Sequence, residues 1–361
     1  MHTNLVINEL DGLPCVTVIV PCRNEATFIA QCVESILAND YPQDRLEILV
    51  IDGMSTDGTW AIVCDLAQRF PEIIPLRNKA RSTPAALNLG IKSARGEIIC
   101  RVDAHARIAP DYLRQCSRVM RKSGADNVGG AMETLPSCET AVARAIAAVM
   151  SHPFGVGDSH FRIRTAKAGL ADTVFGGCYR RQVFERIGLF NENLVRTQDM
   201  EFNQRLRRAG GTIFLDPAIK SYYYACPDLA SFCRHNFQDG MWSVLPFAYS
   251  DGFPVRWRHL AAAIFLIAIA CSAMSGIWLH WARVVLEAIL CSYLAASCVS
   301  SMHAAWGEGD YQSTLIMPIV FAVRHFAYGL GSLWGLGTVI ARGSTLGNRL
   351  SHVKAGNTGM S

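Results

Sequence analysis

Along the first half of the chain, apolar and polar positions repeat one order: a short β-rich run, a polar loop, then an amphipathic helical stretch. Val16-Thr17-Val18-Ile19-Val20-Pro21 reads as a strand and Arg23-Asn24-Glu25 follows at once. Phe28, Ile29, Val33, Ile36 and Leu37 then recur at helical spacing. Leu46 to Ile51 repeats the design and ends in Asp52. Gly53 to Thr59 turns into a helix carrying Ile62, Val63, Leu66 and Ala67, which Asp57 or Ser55 is placed to cap. A third strand, Ile73 to Leu76, leads through Arg77-Asn78-Lys79-Ala80-Arg81-Ser82 into the helix of Ala85, Leu87, Leu89 and Ile91. The fourth runs from Ile98 and breaks abruptly into Asp103-Ala104-His105. This cadence predicts an α/β fold with a doubly wound parallel sheet, whose loaded strand ends bring Asn24, Glu25, Asp52, Arg81 and Asp103 to one edge.

Beyond Pro110 the pattern predicts a helix over Tyr112 to Met120, a strand around Val128 to Met132 and a helix from Ala141 to Met150. Residues 151–171 have little periodicity and read as a mobile loop near the site. Thr173 to Tyr179 reads as a strand whose paired Gly176 and Gly177 allow another chain or a ligand to approach closely. Phe202 and Leu206 form one face of a further helix, and Asp199 at its start reads either as an N-cap or as a chemical group.

Residues 229–250 mix aromatics with charge (Phe232, Arg234, His235, Phe237, Trp242, Phe247, Tyr249). They suit a helix on a membrane surface or an amphipathic helix packed on protein. After Arg256 and Arg258 the pattern turns apolar, and Leu260 to Leu279 is free of charge over about the 20 residues a crossing needs. Val284 to Val299, with Glu287, and Leu315 to Ile340, with Arg324 and His325, are further candidate spans whose ionisable groups should face protein or headgroups. Gly331 and Gly335 have a spacing that suits close helix packing. The expected layout is a catalytic domain over 1–228, an interfacial segment over 229–258, membrane helices over 259–341 and a polar tail over 342–361. Three crossings would put Arg342, Arg349 and Lys354 outside, and two or four crossings, or one re-entrant piece, would keep them in the cytosol.

The 361-residue chain is 50% hydrophobic, which agrees with a part in lipid. Its 34 basic and 30 acidic side chains lack the basic excess of a nucleic-acid binder, so no nucleic-acid partner is expected. The 13 cysteines contain no Cys-x-x-Cys pair, and Cys100, Cys271, Cys291 and Cys298 sit in apolar runs, as reduced thiols do. Met1 to Pro14 carries Glu9 and Asp11 and lacks a basic n-region, so no cleaved secretory signal is expected and the front half should stay cytosolic. Asp103 and His105, two apart at a strand end, suit a hard cation with positions left for phosphate oxygens, and equally suit plain turn chemistry.

Six motifs stand in a set order: Ile19 to Glu25, Ile51 to Thr59, Pro84 to Gly90, Arg101 to His105, Gly176 to Arg181, and Gln198-Asp199. Together they resemble the family 2 glycosyltransferases, closest to the ExoA-like branch associated with succinoglycan and related exopolysaccharides, over roughly residues 14–340. The resemblance implies a GT-A fold, with a Rossmann-like, mostly parallel sheet flanked by helices and followed by transmembrane helices. It implies that Asp52 holds the uracil or ribose end of a UDP-hexose, and that Asp103, with His105, holds Mg2+ or Mn2+ on the diphosphate. Pro21, Arg23, Glu25 and Arg81 would line the donor, and Asp199 would be the general base. Gly177, Arg234 and Trp242 would lie on the acceptor or diphosphate side.

This sequence departs from the family pattern at Gly53, where many members carry a second Asp, and at Gln198, where many carry Glu. The processive Gln-x-x-Arg-Trp signature is replaced by Arg234 to Trp242, so one sugar per encounter is expected. The activity expected is inverting, metal-dependent transfer of a hexose, glucose from UDP-glucose, onto a lipid-linked saccharide at the cytosolic face of the inner membrane. Direct transfer to a polyprenyl phosphate is the alternative within the class, and a non-catalytic nucleotide-sugar-binding scaffold the alternative outside it. A nicotinamide oxidoreductase is disfavoured because no Gly-x-Gly-x-x-Gly follows the first strand.

Overall fold

Three strand–helix repeats open the chain, and their order follows the apolar runs. They are β1 (Val16–Cys22), α1 (Ile29–Leu37), β2 (Leu46–Asp52), α2 (Thr59–Arg69), β3 (Ile73–Arg77), α3 (Thr83–Ser93) and then β4 (Ile98–Arg101). Next come β5 (Ala106–Ile108), α4 (Tyr112–Ser123), β6 (Asn127–Leu135), α5 (Ala141–Ser151), α6 (Pro153–Val156), β7 (Gly169–Leu170), β8 (Cys178–Arg180), α7 (Arg181–Ile187), α8 (Gln198–Arg208) and β9 (Ile213–Tyr224). The chain ends in four helices, α9 (Leu229–Val244), α10 (Trp257–Ser275), α11 (His280–Glu308) and α12 (Tyr311–Gly356). The computed structural model describes residues 12–163, 167–248, 257–308 and 310–356. Glu9, Asp11, part of the loop expected over 151–171, Tyr249, Arg256 and the last five residues of the tail lie outside them.

The chain divides into two compact units, Met1–Thr134 with His160–Tyr224, and Leu135–Ser159 with Ala225–Ser361. Among the described residues, the strands form one nine-stranded sheet in the order β3-β2-β1-β4-β8-β6-β9-β5, with β7 on β9. Its N-terminal part is parallel: β1 pairs with β2 and β4, and β2 with β3, as crossover helices between successive strands require. Past β4 the alternation of strand and helix loosens and the sheet becomes mixed. β8 runs antiparallel to β4 and β6, and β9 antiparallel to β5 and β7. β8 starts only at Cys178, later than the strand expected over 173–179, because Gly176 and Gly177 take φ of 68° and 85° and interrupt the extended backbone.

Each face of the sheet carries its own core. Val16, Val18, Val20, Ile48 and Val50 meet Ile29, Val33, Ile36, Leu113 and Met120 on one side. Ile19, Leu49, Ile51 and Ile99 meet Leu87, Ile91, Phe184, Phe202 and Leu206 on the other. Near-continuous apolar strands are what a sheet covered on both faces demands, and each fully buried side chain of this size contributes about 1.5–3 kcal/mol. Gly90 lets α3 sit close, since a Cβ there would stand 2.7 Å from both Ile19 and Ile51.

The second unit takes in α5 and α6, which fall inside the expected catalytic segment 1–228. The reason is the apolar face of α5: Ile146, Val149 and Met150 share a core with Phe232 of α9 and Met317, Val320 and Phe321 of α12. α9 lies on α12 nearly backbone to backbone. A Cβ at Gly240 would come within 2.0 Å of Tyr328 O, one at Gly331 within 2.0 Å of Phe237 O, and one at Gly335 within 2.6 Å of Met241 O. The Gly331–Gly335 spacing is therefore the seat of α9, a packed amphipathic helix.

Two helices of the described residues are long and apolar enough to cross a membrane, His280–Ala304 and Tyr311–Ala341. The first expected span, Leu260 to Leu279, is shorter in the fold. The apolar helix covers His259–Ser275 and ends where Gly276 N–H and Ile277 N–H turn back on Ser272 O and Met274 O. At 1.5 Å per residue its 17 residues reach about 26 Å, a little under a hydrocarbon core. Ile264, Ile267, Val284, Leu290, Leu294 and Val299 point outward. Arg324 and His325 turn inward, as ionisable groups in such helices should. Arg324 donates from Nε to Gly155 O and from Nη1 to Asn236 Oδ1 at 2.6 Å, while His325 lies 2.9 Å from both Phe154 O and Tyr293 Oη.

Candidate active site

The loops that leave β1 and β2 are stitched together by their own polar residues. Asn24 N–H donates to Ser55 Oγ and Thr56 N–H to Asn24 Oδ1, both at 2.9 Å. Ala26 N–H donates to Asp57 Oδ2 at 3.0 Å, and Thr59 Oγ1–H to Asp57 Oδ1 at 2.5 Å. The Thr59 hydroxyl and then the Ala26 amide hold the Asp57 pKa below the usual carboxylate range. Gly58, not Asp57 or Ser55, is the N-cap of α2, and Asp57 serves the joint between the loops.

Asp52 closes β2 and is fully buried. Its carboxylate accepts from Arg77 Nη1 at 2.7 Å and from Ser55 N–H at 3.1 Å, and Arg77 in turn lies 4.4 Å over the Trp60 ring. Arg77 sits opposite Asp52 in the β2–β3 register. A buried carboxylate without such a partner would be costly. Beside it, Gly53 leaves room for Arg23: a Cβ there would stand 3.2 Å from the Arg23 Cβ. Arg23 Nη1 reaches Arg81 O at 3.4 Å, which ties the first loop to the third.

Among the described residues, the non-glycine positions with positive φ are Asn24 at 56°, Met54 at 61°, Arg81 at 58° and Thr197 at 58°. All four lie in the loops that carry the expected site, and strained backbone of this kind concentrates where geometry serves function.

At the end of β4, Arg101 Nε donates to Asp103 Oδ1 at 2.8 Å, with both side chains mostly buried. Burial pushes the Asp103 pKa up, but the Arg101 and His105 charges outweigh it and hold the carboxyl low. Burial works against the Arg101 charge as well, and Asp103 and then Asp199 more than offset it. His105 Nδ1 meets Glu25 Oε1 at 3.1 Å, and the ring stands edge-on to Tyr223 with 5.1 Å between centroids. Here burial favours neutral imidazole, and the Glu25 hydrogen bond and the Asp103 charge reverse the balance, raising the pKa.

Gly176 and Gly177 bring a later loop against β4. A Cβ at Gly176 would fall 2.6 Å from Arg101 O, and Arg101 N–H donates to Gly177 O at 3.0 Å. Asp199 stands in the first turn of α8, and the N-cap is Thr197, so Asp199 is not the helix cap. Asn203, one turn further on, anchors α8: its Oδ1 accepts from Asn127 Nδ2 at 3.0 Å and Tyr179 Oη at 3.3 Å, and its Nδ2 donates to Thr173 Oγ1 at 2.9 Å. Gln198 is buried.

The first unit carries Pro21, Arg23, Glu25, Asp52, Arg81, Asp103, His105 and Gly177 at its strand ends and loops, and Asp199 in the first turn of α8. Pro21 is half-buried beside Ile51 in the β1–β2 register. Arg234 and Trp242 belong to the second unit, on α9. Sequence reasoning missed three contributors: Arg77, Arg101 as the ion-pair partner of Asp103, and Tyr223. Only Arg77 left a signal, a base at the end of the strand that follows the one bearing Asp52.

No group of three or more His, Cys, Asp and Glu is placed to hold a metal among the described residues. The donors expected from the sequence, Asp103 and His105, would supply one oxygen and one nitrogen ligand. Such a set fits a hard cation that takes its other ligands from phosphate and water. Glu25 on Nδ1 supports that fit, because metal-bound imidazoles commonly donate their other N–H to a carboxylate.

A mixed sheet between helical layers, with acids at the ends of parallel strands, is the GT-A architecture of glycosyltransferases. The chain belongs to glycosyl transferase family 2, whose sequence profile matches residues 17–188. It is 30% identical over 234 residues to a Methanococcus voltae dolichyl N-acetyl-alpha-D-glucosaminyl phosphate 3-beta-D-2,3-diacetamido-2,3-dideoxy-beta-D-glucuronosyltransferase, covering 62% of this chain and 71% of that one. It is 26% identical over 324 residues to the Rhizobium meliloti succinoglycan biosynthesis protein ExoA, covering 82% and 94%. A mannosyltransferase from Pyrobaculum calidifontis, solved in complex with GDP-Man and Mn2+, has the same fold. Its TM-score is 0.56 at 21% identity, over 90% of this chain and 88% of that one.

Proposed function

We propose that this glycosyltransferase is inverting and metal-dependent, and that it moves glucose from UDP-glucose onto a lipid-linked saccharide during exopolysaccharide synthesis. The observation that carries the reading is the end of β4, where the Asp103 carboxylate accepts from Arg101 Nε at 2.8 Å and the neighbouring His105 meets Glu25 at 3.1 Å. Mg2+ or Mn2+ on Asp103 and His105 would offset the charge on the departing diphosphate. Asp199 takes the proton of the acceptor hydroxyl as the new bond to the sugar's anomeric carbon forms and the bond to UDP breaks. Asp52, with Pro21, Arg23 and Arg81, lines the nucleotide, and Gly177 stands on the acceptor side.

Two relatives support the acceptor class by their names: one acts on a dolichyl-linked sugar phosphate and the other belongs to succinoglycan synthesis. With nucleotide sugars in the cytosol, the first unit works there while α11 and α12 cross the inner membrane. One sugar is added per encounter. The test is product analysis with membranes from producing cells, offered a lipid-linked saccharide or bare polyprenyl phosphate. Elongated saccharide, lost in Asp199→Asn, supports the reading. Glycosylation of the bare phosphate alone gives the runner-up, and unchanged transfer in Asp199→Asn removes the base and favours a scaffold.

A further inference from the structure

We infer that Glu25 is a positioning residue that fixes the tautomer and ring angle of His105 and so presents Nε2 as the ligand atom beside Asp103. The inference rests on the reading of Asp103 and His105 as the cation site and gives Glu25 a role other than lining the nucleotide. Glu25 and His105 are 80 residues apart and meet only because β1 and β4 are parallel neighbours, which brings the loops after them together. The Glu25 backbone is itself held, its N–H donating to Thr59 Oγ1 at 2.8 Å. Its carboxylate oxygen therefore stands 3.1 Å from His105 Nδ1 on a fixed base.

On its other side the imidazole meets Tyr223 edge-on, and Tyr223 is backed by Phe175 with 5.9 Å between centroids. A ring with one nitrogen bonded to a carboxylate and its plane set by an aromatic neighbour cannot offer Nδ1 to a ligand. Nε2 is the nitrogen left, on a side chain that is 32% exposed and two residues from Asp103. Carboxylates in this relation to a ligand histidine typically tune metal affinity by 10–100-fold.

The experiment is equilibrium dialysis of labelled UDP against the full-length protein in detergent across a Mn2+ titration, repeated in chelator. In Glu25→Ala the Mn2+ concentration for half-maximal UDP retention rises about 10–100-fold, as it does in His105→Ala. The double variant is no worse than His105→Ala alone. Glu25→Gln, whose Oε1 still accepts from Nδ1–H, recovers most of the loss, and UDP retention in chelator is the same in all four. An unchanged Mn2+ midpoint in Glu25→Ala overturns the inference. So do additive effects in the double variant, or UDP retention lost in chelator, which would put Glu25 on the nucleotide itself. Asp103→Asn separates the two levels: if it retains the wild-type midpoint, the cation site is wrong. If it loses Mn2+ dependence while Glu25→Ala does not, only the positioning role is wrong.

Discussion

Arg101 and Asp103 lie two residues apart at the end of β4, yet their side chains meet at 2.8 Å with 13% and 17% exposure. The pair is a mostly buried ion pair rather than a surface contact, so each charge depends on the other. Replacing Arg101 by Leu leaves Asp103 uncompensated, and the expected loss is about 3–5 kcal/mol of unfolding free energy, read by denaturant titration in detergent. Sugar transfer should fall by about 10–100-fold even where the fold persists. Arg101→Lys, which keeps the charge without the planar fork, should recover stability better than activity.

The second buried pair, Arg77 with Asp52, sits where the nucleotide is expected. Asp52 is wholly buried and Arg77 partly exposed, at 2.7 Å. Arg77→Leu should destabilise the first unit by about 3–5 kcal/mol and raise the KM for the nucleotide sugar. Asp52→Asn, which needs no cation, should fold better than Arg77→Leu and still bind nucleotide poorly. Isothermal titration with UDP separates the two.

Asp57 gives a pH signature away from Asp103 and His105. Its folded pKa is lowered by the Thr59 hydroxyl and the Ala26 amide, so it stabilises the fold above its unfolded value near 4. That contribution disappears as pH falls through the lowered folded value. Thermal melts of wild type and Asp57→Asn should therefore differ at pH 7 and converge below about pH 4. A gap that widens in acid would contradict the role given to Asp57 at the loop joint.

In the second unit, Gly240 and Gly331 leave no space for a side chain, with backbone oxygens 2.0 Å from a Cβ at either position. Gly331→Leu should separate α9 from α12, at a cost above the roughly 1–3 kcal/mol typical of overpacking. Limited proteolysis should then cut within 229–244 sooner than in wild type. Gly337, where a Cβ meets nothing within 4 Å, is the control and should tolerate Ala.

The four parallel strands were legible because a buried strand is a run of apolar residues and its functional end is marked by an abrupt acid, as at Asp52 and Asp103. The fold class and the family followed from those ends. Contacts set by register or by distant loops were not legible. Arg77 faces Asp52 through strand pairing, and Glu25 reaches His105 across 80 residues. Of the antiparallel strands, β8 is three residues long behind Gly176 and Gly177 at positive φ, and β9 mixes Asp216, Pro217 and Lys220 into its run, so neither carries clear alternation. The first expected span lost its end at Gly276 because hydropathy averages across a turn that the backbone takes. The grouping of 135–159 with the C-terminal helices depends on Ile146 and Met150 meeting Phe321, which no local pattern reports.

The central claim is metal-assisted transfer with Asp199 as base. It is tested most directly with the purified protein in detergent, given UDP-glucose and a lipid-linked saccharide, with Mn2+ or Mg2+ or after thorough chelation. The account predicts glucose on the saccharide only when the cation is present, and none with Asp199→Asn although that variant still retains UDP. Transfer that survives chelation, or that proceeds unchanged in Asp199→Asn, would contradict it.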